Sequence, residues 1–293
     1  MKKNILIVGG TGFIGSKLVK RFVDRSHNVM ILTRQKLESD YEKIYINEID
    51  ERDFFYDVVI NLAGAPISNY WTKKNKKEIY DSRINTTKEL VQFFQTSTRR
   101  PELFICASAI GYYGCDNNEY CEQSEISSTE AFSQKICQDV EKEADKIKDK
   151  CKVAKIRLGV VLGKGGGALK KMTPSFKMGL GGTIASGKQY MSWIHIDDVV
   201  NAVEFIAENN IDDAINLVAP NPVTNKEFSK ILAKSLNRPC IFNIPLFVVK
   251  LLFGQMGCEL LAKGQKVSPQ KLIDSGFKFE YENIEQALKN IAQ

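Results

Sequence analysis

Gly9, Gly12 and Gly15 recur at the end of the run ILIVGGTGFIG, Ile5 to Gly15, just ahead of a helical pattern carried by Leu18, Val19 and Phe22. The free amides and positive dipole end of a helix that starts there suit an anion such as a diphosphate. Gly9 can take turn dihedrals that a Cβ obstructs, Gly12 lets the backbone approach a diphosphate closely, and Gly15 lets the helix pack on the preceding strand. An ordinary strand-to-helix turn carries such glycines too, but here a strand-like run precedes them and a helix-like run follows. A second candidate is Arg34, which follows Thr33 at the end of the strand-like NVMIL, Asn28 to Leu32. In dinucleotide folds an acid at that point takes the ribose hydroxyls, whereas an arginine accommodates a 2′-phosphate, so NADP is expected over NAD. A solvated loop arginine is the plainer reading. The third is His195, whose charge changes near neutral pH; it suits either a general acid or base or a structural histidine held by Asp197 or Asp198.

These residues need a scaffold of parallel strands and helices. Ile5 to Val8 is aliphatic without alternation, as a strand covered on both faces must be. Further strands are expected at Asn28 to Leu32, Lys43 to Ile46, Val58 to Leu62, Leu103 to Ala107, Val153 to Val161 and Ile215 to Val218. Helices are expected at Glu78 to Gln95, Ala131 to Glu141, Val199 to Asn209 with Asp198 as its N-cap, Asn225 to Ser235 with Thr224 as its cap, and Ile284 to Ile291. Pro66 to Lys77 reads as a polar loop containing Trp71. Gly179 to Gly187 is glycine-rich and reads as a lid or a surface linker.

At 293 residues the chain is long enough for one large or two modest domains. Its hydrophobic content of 43% and charged content of 26% are those of a soluble globular protein. The net charge of +6 is densest at Lys73 to Lys77 and Lys142 to Lys152, where acids alternate with the lysines or helices are expected. That is a solvated face rather than a nucleic-acid surface. Seven cysteines without a CxxC pair, and only two histidines, argue against a zinc site or a disulfide framework and fit the reducing cytoplasm. The apolar stretch at the N-terminus is too short for a signal segment, and Phe242 to Phe253 is interrupted by Asn243, Pro245 and Lys250, so no membrane span is expected.

GGTGFIG, NLAGA, SAIGYYG, RLGVVLG, GGTIASGKQYMSWIHIDD and VSPQKLIDSGFKF follow one another along nearly the whole chain. In that order they resemble the epimerase-like, atypical extended short-chain dehydrogenase/reductases with a small C-terminal domain. The resemblance implies an α/β, Rossmann-type doubly wound parallel sheet with a smaller C-terminal substrate-side domain. Residues 1–165 would form the NADP-binding domain, completed by 190–220, and 166–293 the mainly substrate-side region. Thr11, Phe13 and Ile14 would join the glycines and Thr33 at the cofactor. The backbone of Leu62, Ala63 and Gly64 would line it. Arg83 lies in the helix that passes beneath it, and Arg157 matches the RxGxVxG segment near the nicotinamide. A serine where Ser108 stands hydrogen-bonds the reacting carbonyl or hydroxyl in such enzymes; a turn serine is the plainer alternative. Trp193 and His195 belong to a motif that positions the substrate region.

Standard members carry Tyr-x-x-x-Lys on the next helix, which puts phenol and ammonium one turn apart on one face. Here Phe132 and Ile136 take those places, and Lys135 is one register off. The only such pair in the chain, Tyr70 and Lys74, falls in the loop after NLAGA. Tyr113 and Tyr120 are the substitutes the sequence offers, although tyrosines near a cleft also stack on ligand or pack on a lid; Tyr113 or a bound water is taken as the proton donor.

The expectation is therefore an NADP-dependent oxidoreductase or epimerase-type enzyme acting on a small carbonyl or hydroxyl compound between two domains. The empty Tyr/Lys positions favour a rival, a non-catalytic NADP(H)-binding sensor or scaffold. A homodimer is compatible with the sequence.

Overall fold

The computed structural model describes residues 2–33, the backbone of 43–44, and residues 55–126 and 129–292. Strand β1 (Asn4–Val8) leads into α1 (Phe13–Asp24), followed by β2 (Asn28–Leu32), β3 (Lys43–Ile44), β4 (Val58–Asn61), α2 (Lys73–Thr96) and β5 (Leu103–Ala109). A 3-10 turn at Ile110–Tyr113 precedes β6 (Glu119–Tyr120), α3 (Phe132–Ala144), β7 (Lys152–Leu158), β8 (Val160–Gly163) and α4 (Gly167–Lys177). Then come β9 (Gly182–Ile184), β10 (Tyr190–Met191), β11 (Trp193–His195), α5 (Ile196–Asn209), β12 (Asp213–Leu217), β13 (Val223–Thr224) and α6 (Asn225–Ser235). The chain ends with β14 (Phe242–Ile244), α7 (Leu246–Leu260), β15 (Lys266–Val267), α8 (Gln270–Asp274) and α9 (Ile284–Ala292).

Seven strands pair in parallel in the order β12-β7-β5-β4-β1-β2-β3. The order reverses between β1 and β4, the place where such sheets leave a crevice at the strands' carboxyl ends. Because helices cover both faces, successive residues of one strand serve two cores. Ile5, Ile7, Val58 and Ile60 pack with Leu18, Val19 and Phe22 of α1 and with Val199, Val203 and Ile206 of α5. Leu6, Val8, Val59 and Phe104 pack with Leu90, Val91 and Phe94 of α2 and Val140 of α3. Full burial of each such side chain stabilises by roughly 1.5–3 kcal/mol. A third core joins α4, α6 and α9 around Phe228, Trp193 and Leu288. No helix among the described residues is long and apolar enough to cross a membrane.

The expected strand Val153–Val161 is two strands. At Gly159 the chain leaves the main sheet: its amide bonds the Leu217 carbonyl while Val160 N–H turns to Ser192, and β8 pairs with β11. A Cβ on Gly159 would lie 2.6 Å from the Ser192 carbonyl oxygen, so only glycine allows this crossing. Helix α2 begins five residues ahead of the expected Glu78, because the Thr72 hydroxyl caps it by accepting from Asn75 N–H. Gly179 to Gly187 is not one open stretch: β9 within it pairs with β14, with Gly182 set tightly against Phe242. Helix α6 carries the capping box of Thr224 and Glu227.

Candidate functional site

The carboxyl ends of β1, β4 and β5 converge beside the start of α1. Gly9 sits at φ +80, where an L side chain is strained, and Gly12 N–H bonds back to the Gly9 carbonyl at 3.0 Å. A Cβ on Gly15 would overlap the Gly9 carbonyl oxygen, so the helix starts as close to β1 as backbone permits. Gly12 caps α1 with no side chain, and the first turn holds no acid. Within α1 and its cap, therefore, no side chain competes for the amides at that end. Thr11 and Gly12 are exposed there. The Phe13 ring packs against Gly163, Gly166 and Gly167, where Cβ atoms would clash with it, and so anchors the turn into α4. Ile14 packs on the core beneath. Thr33 follows β2, half-buried, and Arg34 lies outside the described residues.

Leu62 N–H continues the ladder to Val8, and a Cβ on Gly9 would stand 3.0 Å from the Leu62 carbonyl oxygen, so the two loops touch. Asn61 fixes the turn after β4. Its Oδ1 accepts from Ala63 N–H at 3.1 Å and its Nδ2 donates to Thr87 Oγ1 at 2.9 Å. Ser82 Oγ accepts from Ala65 N–H at 2.9 Å, so α2 carries the loop on two hydroxyls. Asn61, Ser82 and Thr87 were not singled out in the sequence, although NLAGA contains the first. Arg83 lies flat against Gly64: a Cβ there would come within 2.7 Å of Cζ.

Ser108 follows Cys106, which pairs with Asn61 across the sheet. Its hydroxyl is buried and has no hydrogen-bond partner among the described residues. The Cys137 thiol is near enough to feel it. Burial pushes this thiol up to about 11, so it is neutral near pH 7.

Two expected site residues face elsewhere. Tyr113 is fully buried, stacked on Tyr120 with centroids 4.9 Å apart. Its hydroxyl donates to Asn216 Oδ1 and accepts from Arg157 Nη1, each at 2.8 Å. Burial pushes its pKa up to about 12 despite the neighbouring arginine. A phenol so enclosed is no proton donor to a ligand, which corrects its expected role. Arg157 is likewise committed inward rather than to a cofactor: its fork meets both oxygens of Glu141 at 2.9 and 2.8 Å, and Tyr112 lies flat over it at 3.5 Å. Although burial acts against its charge, these partners push its pKa up.

The substrate-side pair is also structural. Trp193 is wholly buried in the third core and donates through Nε1 to the Asn221 carbonyl. His195, not Asp198, is the N-cap of α5: Nδ1 accepts from Asp197 N–H at 3.2 Å. Its ring lies against Tyr281, the centroids 3.9 Å apart, and Asn290 lies near it. Burial lowers its pKa, outweighing Asp197 and Glu280. Asp198 instead receives the Glu280 and Tyr281 amides at 2.8 and 3.0 Å and so binds the C-terminal segment to α5.

At the start of α3, where Phe132 stands, no side chain of that helix caps it. Glu259 of α7 does so, accepting from Ser133 N–H at 3.1 Å and Ser133 Oγ at 2.9 Å. Met256 of α7 packs against Trp71, whose ring meets Phe132 edge-on at 5.0 Å.

Comparison with known proteins fits this geometry. The model of the NAD dependent epimerase/dehydratase family matches residues 5–217, and a domain of unknown function, DUF1731, matches 244–291. The chain is 38% identical to the chloroplastic epimerase family protein SDR39U1 homolog of Arabidopsis thaliana, over 99% of this chain and 86% of that one. It is 36% identical to the epimerase family protein YfhF of Bacillus subtilis, over 98% and 97% of the two chains. Among solved structures, human epimerase family protein SDR39U1 (isoform 2) with NADPH superposes with a TM-score of 0.92 at 33% identity, covering 99% of each chain.

Proposed function

The chain belongs to the NAD dependent epimerase/dehydratase family, and from that premise we propose that it binds NADP(H) at the start of α1 and acts on a small carbonyl or hydroxyl compound beside Ser108. The uncapped first turn of α1, pressed onto Gly9 by Gly15, carries this reading. It is a cradle that a side chain would fill, and it fits a diphosphate. The similar human protein was crystallised with NADPH.

Gly9, Gly12 and the α1 amides would hold the diphosphate, the Leu62–Gly64 backbone would flank it, and Arg34 would meet the 2′-phosphate. When bound, the cofactor supplies or takes up hydride. Ser108 would orient the substrate oxygen, since its buried hydroxyl has no hydrogen-bond partner among the described residues. With Tyr113 enclosed in the core, the remaining donor for that oxygen is a water.

The second reading is a non-catalytic NADP(H) binder. It is favoured by α3, which offers Phe132 and Ile136 where the Tyr/Lys pair would be, under a cap from Glu259. One experiment separates them: calorimetry with NADPH, then a screen of carbonyl compounds for NADPH consumption with Ser108→Ala as control. Consumption that Ser108→Ala abolishes establishes the enzyme; tight binding without consumption establishes the binder.

A further inference from the structure

Helix α7 is most apolar where it is least covered. In its first half, the run LFVVKLLF from Leu246 to Phe253, only Val249 is buried, while Phe247 is 71% and Leu251 77% exposed. The second half is anchored: Gly254 breaks the helix at φ +57 against Tyr70, Met256 and Gly257 are buried, and Glu259 caps α3. The uncovered surface continues beyond the helix. Phe242 of β14 pairs with Gly182 of β9, which brings exposed Ile241 and Phe242 to the segment of exposed Met178 and Leu180. Arg238 Nε donates to the Lys177 carbonyl at 2.8 Å and fastens the same two segments together. Nine of the fourteen large apolar side chains exposed among the described residues fall between Met178 and Phe253. Apolar side chains exposed singly are ordinary, whereas a continuous cluster marks a surface that meets something apolar.

Charge supplies the second observation. No Asp or Glu lies between Lys150 and Ile196, nor between Phe228 and Cys258, the two stretches that build this face. Their cations include Lys170, Lys177, Arg238 and Lys250, all exposed. The loop whose Tyr70 meets Gly254 is alike: from Val58 to Lys77 it carries no acid, and Lys73 and Lys74 are exposed. Apolar surface and positive charge thus share one side of the C-terminal region. A second copy docked face to face would set Lys177, Arg238 and Lys250 against their own counterparts with no acid to pair with. An anionic bilayer answers both properties. Its acyl boundary receives the leucines and phenylalanines, and its phosphates receive the cations, Lys250 laying its stem along the apolar face with its ammonium at the headgroups. Eight residues of helix are too few to cross a bilayer and suit one lying in its surface.

We propose that the first half of α7, with the segments around Met178 and Ile241, docks the protein on an anionic phospholipid surface. The protein lies on the membrane and does not enter its core. The proposal stands apart from the NADP(H) reading, since none of these side chains belongs to the site at the start of α1.

The test is flotation of the full chain with vesicles of phosphatidylcholine alone and of equal parts phosphatidylcholine and phosphatidylglycerol. Sedimentation velocity without lipid and thermal unfolding accompany it. Wild type should float with the phosphatidylglycerol vesicles, release them as salt is raised, and leave phosphatidylcholine vesicles alone. The double variant Phe247→Gln, Leu251→Gln should bind at least about tenfold more weakly, and so should Lys177→Glu, Lys250→Glu. Both variants should keep the wild-type melting temperature, because the altered side chains are exposed. A marked fall in melting temperature in the glutamine variant would mean that this face packs within the protein, and would overturn the proposal. Failure of wild type to float with either vesicle overturns it, as does flotation that neither variant weakens. A wild-type dimer that the glutamine variant dissociates would make a second copy the occupant and overturn it as well.

Discussion

The Tyr113 hydroxyl donates to Asn216 Oδ1 at 2.8 Å, tying the turn after β5 to β12 at the far edge of the sheet. Asn216 passes the connection on, through Nδ2 to the Ser268 carbonyl and through its amide to Glu122. Tyr113 is thus a strut between the sheet and the C-terminal tail. Tyr113→Phe leaves Asn216 and Arg157 each short of a partner and should cost about 1–3 kcal/mol in chemical denaturation. NADPH affinity and any turnover should stay unchanged. A variant of full stability and lost turnover would return Tyr113 to the chemistry.

Both histidines act as neutral acceptors from backbone amides: His195 Nδ1 from Asp197, and His27 Nδ1 from Lys3. Burial is the main cause that lowers each below its ordinary 6.5. A native state that resists protonation binds fewer protons than the unfolded chain below that value. Stability is therefore complete above about 6.5 and declines as pH falls toward the lowered native values. Melting temperatures from pH 8 to pH 5 should show this decline, and His195→Asn, which keeps a capping side chain, should flatten it. A profile unaffected by the substitution would contradict the assignment.

Gly15→Ala puts a methyl group into the Gly9 carbonyl and forces α1 away from β1. NADPH affinity should fall at least tenfold, about 1.4 kcal/mol. Gly179, where added bulk meets nothing, is the control position: Gly179→Asn should leave NADPH affinity as it was.

Arg34→Ala should cost NADPH affinity and spare NADH, narrowing the ratio of the two dissociation constants about tenfold or more. Equal losses for both cofactors would remove Arg34 from the 2′-phosphate.

What could be read from the sequence was what local rules govern. GGTGFIG carries its own strand, turn and helix start, and Thr224 with Glu227 announces α6. The uninterrupted apolar runs of β1 and β4 announce strands buried on both faces. What escaped depends on partners distant in the chain. Nothing near Tyr113 says that Arg157 and Asn216 will enclose it, and nothing near Ser133 points to Glu259 of α7. His195 misled because a histidine is an unusual helix cap, and Asp198 beside it looked the better one, whereas its carboxylate is taken by two amides of the tail. RLGVVLG reads as one strand because the turn at Gly159 is dictated by Ser192 and Leu217, not by its neighbours. Arg83 was placed near the cofactor by resemblance; that its guanidinium bonds the Ile79 carbonyl and packs on Gly64 is visible only in three dimensions.

The central claim is that the bare start of α1 receives a dinucleotide's diphosphate. Isothermal titration of the folded protein with NADPH, for wild type and Gly15→Ala, tests it most directly. Saturable uptake by wild type that collapses in Gly15→Ala is the predicted result; a folded wild type that takes up neither NADPH nor NADH would contradict it.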